Sequence, residues 1–87
     1  MSIAVYFGRV VKKLREDARY SQEVLADKAN LNRTYLGEVE RGVAVPSLAT
    51  INKIATALNL PASQLIALSE HHQQQLNARI HAAATVD

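Results

Sequence analysis

The sequence predicts an all-α domain of five helices, and three observations carry that reading. Only three glycines and two prolines interrupt 87 residues. Apolar residues recur at steps of three and four along most of the chain, and no stretch alternates apolar with polar side chains long enough to make a strand. A chain of this length is one domain that hides only about 60 % of the surface its unfolded form exposes, so its core is thin and self-association adds stability. There is no cysteine, which excludes disulfide frameworks, zinc–thiolate sites and thiol nucleophiles and fits a reducing compartment. Met1 to Gly8 is apolar but lacks a basic start and is cut short by Arg9. It therefore fits neither a signal peptide nor a membrane span, and the expected location is the cytoplasm.

Each element has its own signal. Phe7, Val10, Val11, Leu14 and Ala18 line one stripe of a first helix with a basic outer face, expected to end near Arg19. Ser21 can cap a second, two-turn helix that Gln22 opens and whose Leu25, Ala26 and Ala29 turn inward. Asn30 is among the few residue types with a Cβ that readily enter the left-handed region, so it marks a sharp turn that Leu31 plugs. Asn32 caps a third helix running from Arg33 to Arg41, and Gly42 ends it. Two short helices joined by so brief a turn cross steeply. After a loop through Pro46, Ser47 caps a fourth helix with Leu48, Ile51, Ile54, Ala55 and Leu58 expected in the core. Asn59 and Pro61 break the chain again, and a fifth helix starts around Leu65, Ile66 and Leu68 and extends through Leu76 and Ile80 toward Ala84. Its tract of His71, His72 and Gln73 to Gln75 reads as solvated helix surface or a frayed tail.

Net charge is only +2, yet eight of the ten basic residues lie in the first 41 positions, so a polyanion would meet the N-terminal half. Six acidic residues share that half, and a mixed solvated surface is the competing explanation. The third helix sharpens the choice. At about 100° per residue, Arg33, Gly37, Arg41, Thr34 and Glu38 fall on one arc of roughly 140°, with Tyr35, Leu36, Val39 and Glu40 on the other side. A glycine within a helix costs about 1 kcal/mol relative to alanine, and close approach of another molecule to the backbone is one reason to keep it. The side chains suit base edges: Arg33 can pair with guanine, Thr34 can bond or touch a thymine methyl, and Glu38 can accept from cytosine. Gln22, Asn32, Tyr35 and Arg41 border that face as candidate phosphate ligands. Singly, each is as well explained as a solvated side chain; the joint arrangement is harder to explain that way.

An enzyme fits poorly. The only histidines, His71, His72 and His81, all lie in the terminal segment, and no serine, carboxylate or glycine-rich loop is placed to work with them. They also diverge around one helix, which disfavours a metal site, and no cofactor is implied.

The stretch SQEVLADKANLNRTYLGEVERGVAVPSLATINKIATALNLPASQL resembles the helix-turn-helix domain of the Cro/cI repressor family, also called the xenobiotic-response-element family, and the likeness covers about Arg9 to Leu68. It is carried by Gln22 opening the second helix, the Leu25-Ala26 pair, the turn at Asn30, the Glu40-Arg41-Gly42 ending, and Pro46-Ser47-Leu48 opening the fourth helix. Within that family, Arg33-Thr34-Tyr35 and Glu40-Arg41-Gly42 are most similar to the controller proteins of restriction-modification genes. The resemblance implies a five-helix, lambda-repressor-like domain over residues 1–69 with a C-terminal helical extension or tail over 70–87. It also implies a sequence-specific transcriptional regulator that binds an inverted-repeat operator in double-stranded DNA as a homodimer, with Arg33, Thr34, Gly37 and Glu38 at the bases. Arg15 and Glu40 match a family pair that joins the first and third helices as an internal ion pair, a further phosphate ligand being the alternative for Arg15. Asn30 stands where many members have glycine, Pro61 where a capping serine is common, and about eighteen residues follow the matched region.

In the family the fourth and fifth helices supply the two-fold contact, which here points to Leu60, Leu65, Ile66 and Leu68, with Leu76 from the extension; completion of the monomer core is the alternative for each. The rival function is an antitoxin that neutralises a toxin partner through residues 70–87 while repressing its own operon. Such a tail is expected to lack structure until its partner binds.

Overall fold

The computed structural model describes residues 2–85 and consists of five helices: α1 Ile3–Asp17, α2 Gln22–Ala29, α3 Arg33–Glu40, α4 Leu48–Ala57 and α5 Ala62–Thr85. Val86 and Asp87, the end of the expected extension, lie outside the described residues. No strand occurs among the described residues.

The middle helices begin as their capping residues dictate. Ser21 accepts from the N–H of Val24 (3.1 Å), Asn32 from those of Thr34 (2.8 Å) and Tyr35 (3.2 Å), and Ser47 from that of Thr50 (3.1 Å). Each thereby satisfies N–H groups that have no partner inside the helix.

The first four helices all end alike. A residue with positive φ follows each: Arg19 (63°), Asn30 (54°), Gly42 (75°) and Asn59 (60°). In each case the next residue's N–H reaches back to a carbonyl five positions earlier: Tyr20 to Arg15 (3.0 Å), Leu31 to Ala26 (2.8 Å), Val43 to Glu38 (2.9 Å) and Leu60 to Ala55 (2.9 Å). This termination leaves few carbonyls orphaned and folds the chain back sharply. Only one of the four left-handed positions is glycine, so Arg19 carries conformational strain that glycine would avoid.

The core draws on all five helices: Phe7 and Val11 from α1, Leu25, Ala26 and Ala29 from α2, Leu36 and Val39 from α3, Ile54 and Ala55 from α4, and Leu65 from α5. Leu31 packs against it from the turn. Gly8 is buried where α1 crosses the end of α3, and a Cβ there would overlap the carbonyl oxygens of Val39 and Glu40. The two backbones meet so closely because residue 8 has no side chain.

Two expectations need correcting. Leu48 does not join the core but is 84 % exposed. Inward contact along α4 begins only at Thr50 and Ile51, so the helix's first residue overhangs. His72 is no plain surface residue: it is half-buried, with its ring edge-on to that of buried Tyr6 at 5.4 Å. α5 passes unbroken through residue 70, where the extension was expected to begin, and its 24 residues span about 36 Å. Ser69, buried on the same helix, returns its hydroxyl proton to the Leu65 carbonyl at 2.9 Å. No helix among the described residues is long and apolar enough to cross a membrane.

Candidate nucleic-acid interface

α2 and α3, joined by the Asn30 turn, place the first turn of α3 at the surface. Arg33 and Thr34 are exposed there, and Glu38, one turn after Thr34, is half-buried. Asn32 is exposed, but its side-chain oxygen is engaged by the cap, which leaves its amide N–H groups as donors. Tyr35 is half-buried and packs against the core.

Gly37 departs from the outward position expected of it. It is buried, and a Cβ built on it would meet the Arg41 guanidinium at 3.2 Å and the Gln22 amide at 3.7 and 3.8 Å. The helical arc was right about angle, but side chains from α2 and from the end of α3 close over that part of the arc. The missing side chain makes room for Gln22 and Arg41.

Behind this face lies a buried polar cluster. Arg15 on α1 holds Glu40 on α3 through two bonds, Nε to Oε2 at 2.7 Å and Nη2 to Oε1 at 3.0 Å, and donates a third from Nη1 to the Tyr20 carbonyl at 2.9 Å. Gln22 Nε2 also donates to Glu40 Oε1, at 3.0 Å. The hydrogen bond to Glu40 raises the Arg15 guanidinium above its usual pKa, with burial opposing it. Gln22, expected to face phosphate, is thus half-buried and tethered at its nitrogen, with its amide oxygen next to Gly37.

Helix-turn-helix is the family that these features match, over residues 11–65. The chain belongs to the helix-turn-helix family, of Cro/cI type. Its relatives in that family include the immunity repressor protein of Bacillus phage phi105, 35 % identical over 75 residues that make up 83 % of this chain and 52 % of the repressor. The chain thus spans about half the length of that relative. The crystal structure of the restriction-modification controller protein C.AhdI from Aeromonas hydrophila is 44 % identical and covers 71 % of this chain and 94 % of its own, with a TM-score of 0.69. The biofilm regulator SinR, solved in complex with DNA, is 30 % identical with a TM-score of 0.65, covering 69 % of this chain and 97 % of its own. The chain is therefore a member of a family of DNA-binding transcriptional regulators and controller proteins.

The residues expected at a two-fold contact divide. Leu65 is fully buried within the single chain and has no surface to offer a second copy, which removes it from the expected interface. Leu60, Ile66, Leu68 and Leu76 are each half-buried and keep exposed surface. Sequence reasoning missed Gly8 and Tyr6 as packing residues, and it did not resolve which residues on the basic outer face of α1 approach α3. Arg9 and Lys12 do so, lining a groove with Val5, Gln22, Glu40 and Arg41.

Proposed function

We propose that this helix-turn-helix chain binds an inverted-repeat operator as a homodimer, with α3 entering the major groove from its first turn. The observation that carries the proposal is the exposure of Arg33 and Thr34 at the start of a helix whose opposite side, at Leu36 and Val39, is in the core. Arg33 pairs with guanine, Thr34 bonds a base edge or touches a thymine methyl, and Glu38 accepts from cytosine. Gln22, Asn32, Tyr35 and Arg41 contact the backbone and set the register. Leu60, Ile66, Leu68 and Leu76 meet their copies across the two-fold axis. The likeness to the controller protein from Aeromonas hydrophila supports a role in the control of restriction-modification genes. The antitoxin alternative expected an unstructured segment from residue 70 onward, and a helix through Thr85 gives it no support.

Selection of binding sequences from a random duplex pool tests the proposal. The expected result is an inverted repeat with half-sites about one helical turn, roughly 10 base pairs, apart. Arg33→Ala then costs about 1–3 kcal/mol on that site and flattens the preference at one base pair of each half-site. An equal loss on every sequence would reduce Arg33 to a phosphate ligand, and a pool with no enriched motif would overturn sequence-specific binding.

A further inference from the structure

α1 runs across the end of α3 because Gly8 lets the two backbones meet and because the turn at Gly42 presses on Val5, where an added Cβ would stand 2.9 Å away. That crossing brings the outer face of α1 to the edge of the DNA-reading unit. Val5, Arg9 and Lys12, spaced four and three apart, share one groove of about 480 Å³ with Gln22, Glu40 and Arg41. The volume is ample for a phosphodiester and its waters, one water taking about 30 Å³. Three cationic side chains, Arg9, Lys12 and Arg41, line the groove, and its one carboxylate, Glu40, already receives bonds from Arg15 and Gln22. Basic groups thus outnumber acidic ones in the lining by three to one. Gln22 and Arg41 are also the residues proposed above to contact the DNA backbone, so the groove continues that strip onto α1.

We infer that Lys12 and Arg9 of α1, with Arg41, form a second phosphate-binding site that holds DNA backbone flanking the base-read half-site. The inference rests on the DNA-binding reading proposed above and adds a contact from outside the helix-turn-helix pair. Arg9 also sits over the ring of Tyr6, at 5.8 Å from its centre, so part of its effect is structural. Lys12 is exposed and is the cleaner probe.

The test compares wild type, Lys12→Gln and Lys12→Arg on two duplexes carrying the selected operator, one trimmed to the base-read positions and one extended by a helical turn on each side. Affinity is read by fluorescence anisotropy from 50 to 300 mM salt. Each phosphate contact contributes a slope of about 0.9 to the logarithmic salt dependence, so Lys12→Gln lowers the slope on the extended duplex by about 1.8 per dimer. The same variant leaves the trimmed duplex and the selected sequence unchanged, and Lys12→Arg restores the slope. Thermal melting of Lys12→Gln superimposes on wild type. An unchanged slope on the extended duplex, or an equal fall on both duplexes, overturns the flanking contact. Saturable binding of inorganic phosphate in the groove, seen by NMR beside an unchanged DNA slope, also overturns it and marks a free-anion site. Failure of wild type to bind any duplex would instead sink the functional reading beneath it.

Discussion

Removing the Glu40 carboxylate should be among the most damaging single changes to this fold, and its size can be worked from the bonds it makes. The Glu40 side chain is 2 % exposed and that of Arg15 11 %, so little water is available to replace a lost partner. Glu40→Ala deprives Arg15 of its bonds at 2.7 and 3.0 Å and Gln22 of one at 3.0 Å, leaving the guanidinium with only the Tyr20 carbonyl. Two hydrogen bonds to a charged group, at about 1.5–3 kcal/mol each, give about 3–6 kcal/mol, in line with the roughly 3–5 kcal/mol found when one partner of a buried pair is removed. Domain stabilities run from about 5 to 15 kcal/mol, so the variant keeps a marginal fold at best. Urea titration followed by circular dichroism reads the effect as a lower midpoint. The decisive comparison is Arg15→Met combined with Glu40→Leu. An apolar pair of similar volume removes both desolvation penalties, and most of the loss is recovered, short of the donor that the Tyr20 carbonyl gives up. A Glu40→Ala cost below about 1 kcal/mol, or a double variant as unstable as the single, would show that the pair behaves like a solvated surface bridge and would refute the reasoning.

Three further outcomes follow from particular contacts. Gly8→Ala should destabilise by about 2 kcal/mol or more, since overpacking against backbone costs more than the roughly 1 kcal/mol of helix propensity gained; a raised urea midpoint would show that α1 and α3 do not meet there. Arg19→Gly should stabilise by up to about 1 kcal/mol, because relief of about 1–2 kcal/mol of left-handed strain outweighs the entropy of a freer unfolded chain; a lower melting temperature would contradict it. Leu76→Asp should shift the protein toward monomer in sedimentation equilibrium and weaken operator binding, whereas an unchanged mass would remove Leu76 from the interface.

Much of the fold was legible because its signals are local. Ser21, Asn32 and Ser47 cap their own helices, and Asn30 turns its own backbone, so neighbours in sequence suffice to read them. Arg33 and Thr34 lie at the surface as their arc implied. The departures share one cause, since each depends on what another element does. Leu48 has helical spacing with Ile51 but lies one step beyond where α4 meets the core. Gly37 has the angle of a surface residue, yet Gln22 and Arg41 close over it. Leu65 looks like any interface leucine until α5 is docked against the other helices. The role of Gly8 is written only in the carbonyls of a helix thirty residues away. Periodicity assigns a residue to a face, and tertiary packing decides how much of that face remains.

The buried cluster ties the stability of the fold to the proposed DNA contacts through a single carboxylate. Glu40 ends α3; both of its oxygens anchor the helix to Arg15 of α1, and one of them, Oε1, also holds Gln22 at the start of α2. The tilt of α3 and the aim of a proposed backbone contact therefore share one support. Stability and affinity should separate when it is removed cleanly. In the Arg15→Met, Glu40→Leu double variant, apolar packing can keep α3 against α1, but nothing there can accept from the Gln22 amide. Gln22 then pays rotamer entropy on meeting phosphate that the wild type has already lost on folding. The variant should melt near wild type yet bind its operator more weakly, with base preference intact, because Arg33 and Thr34 stay on their helix while the register contact loosens. Unchanged affinity in a stable double variant would mean that Gln22 needs no tether and that Glu40 serves the fold alone.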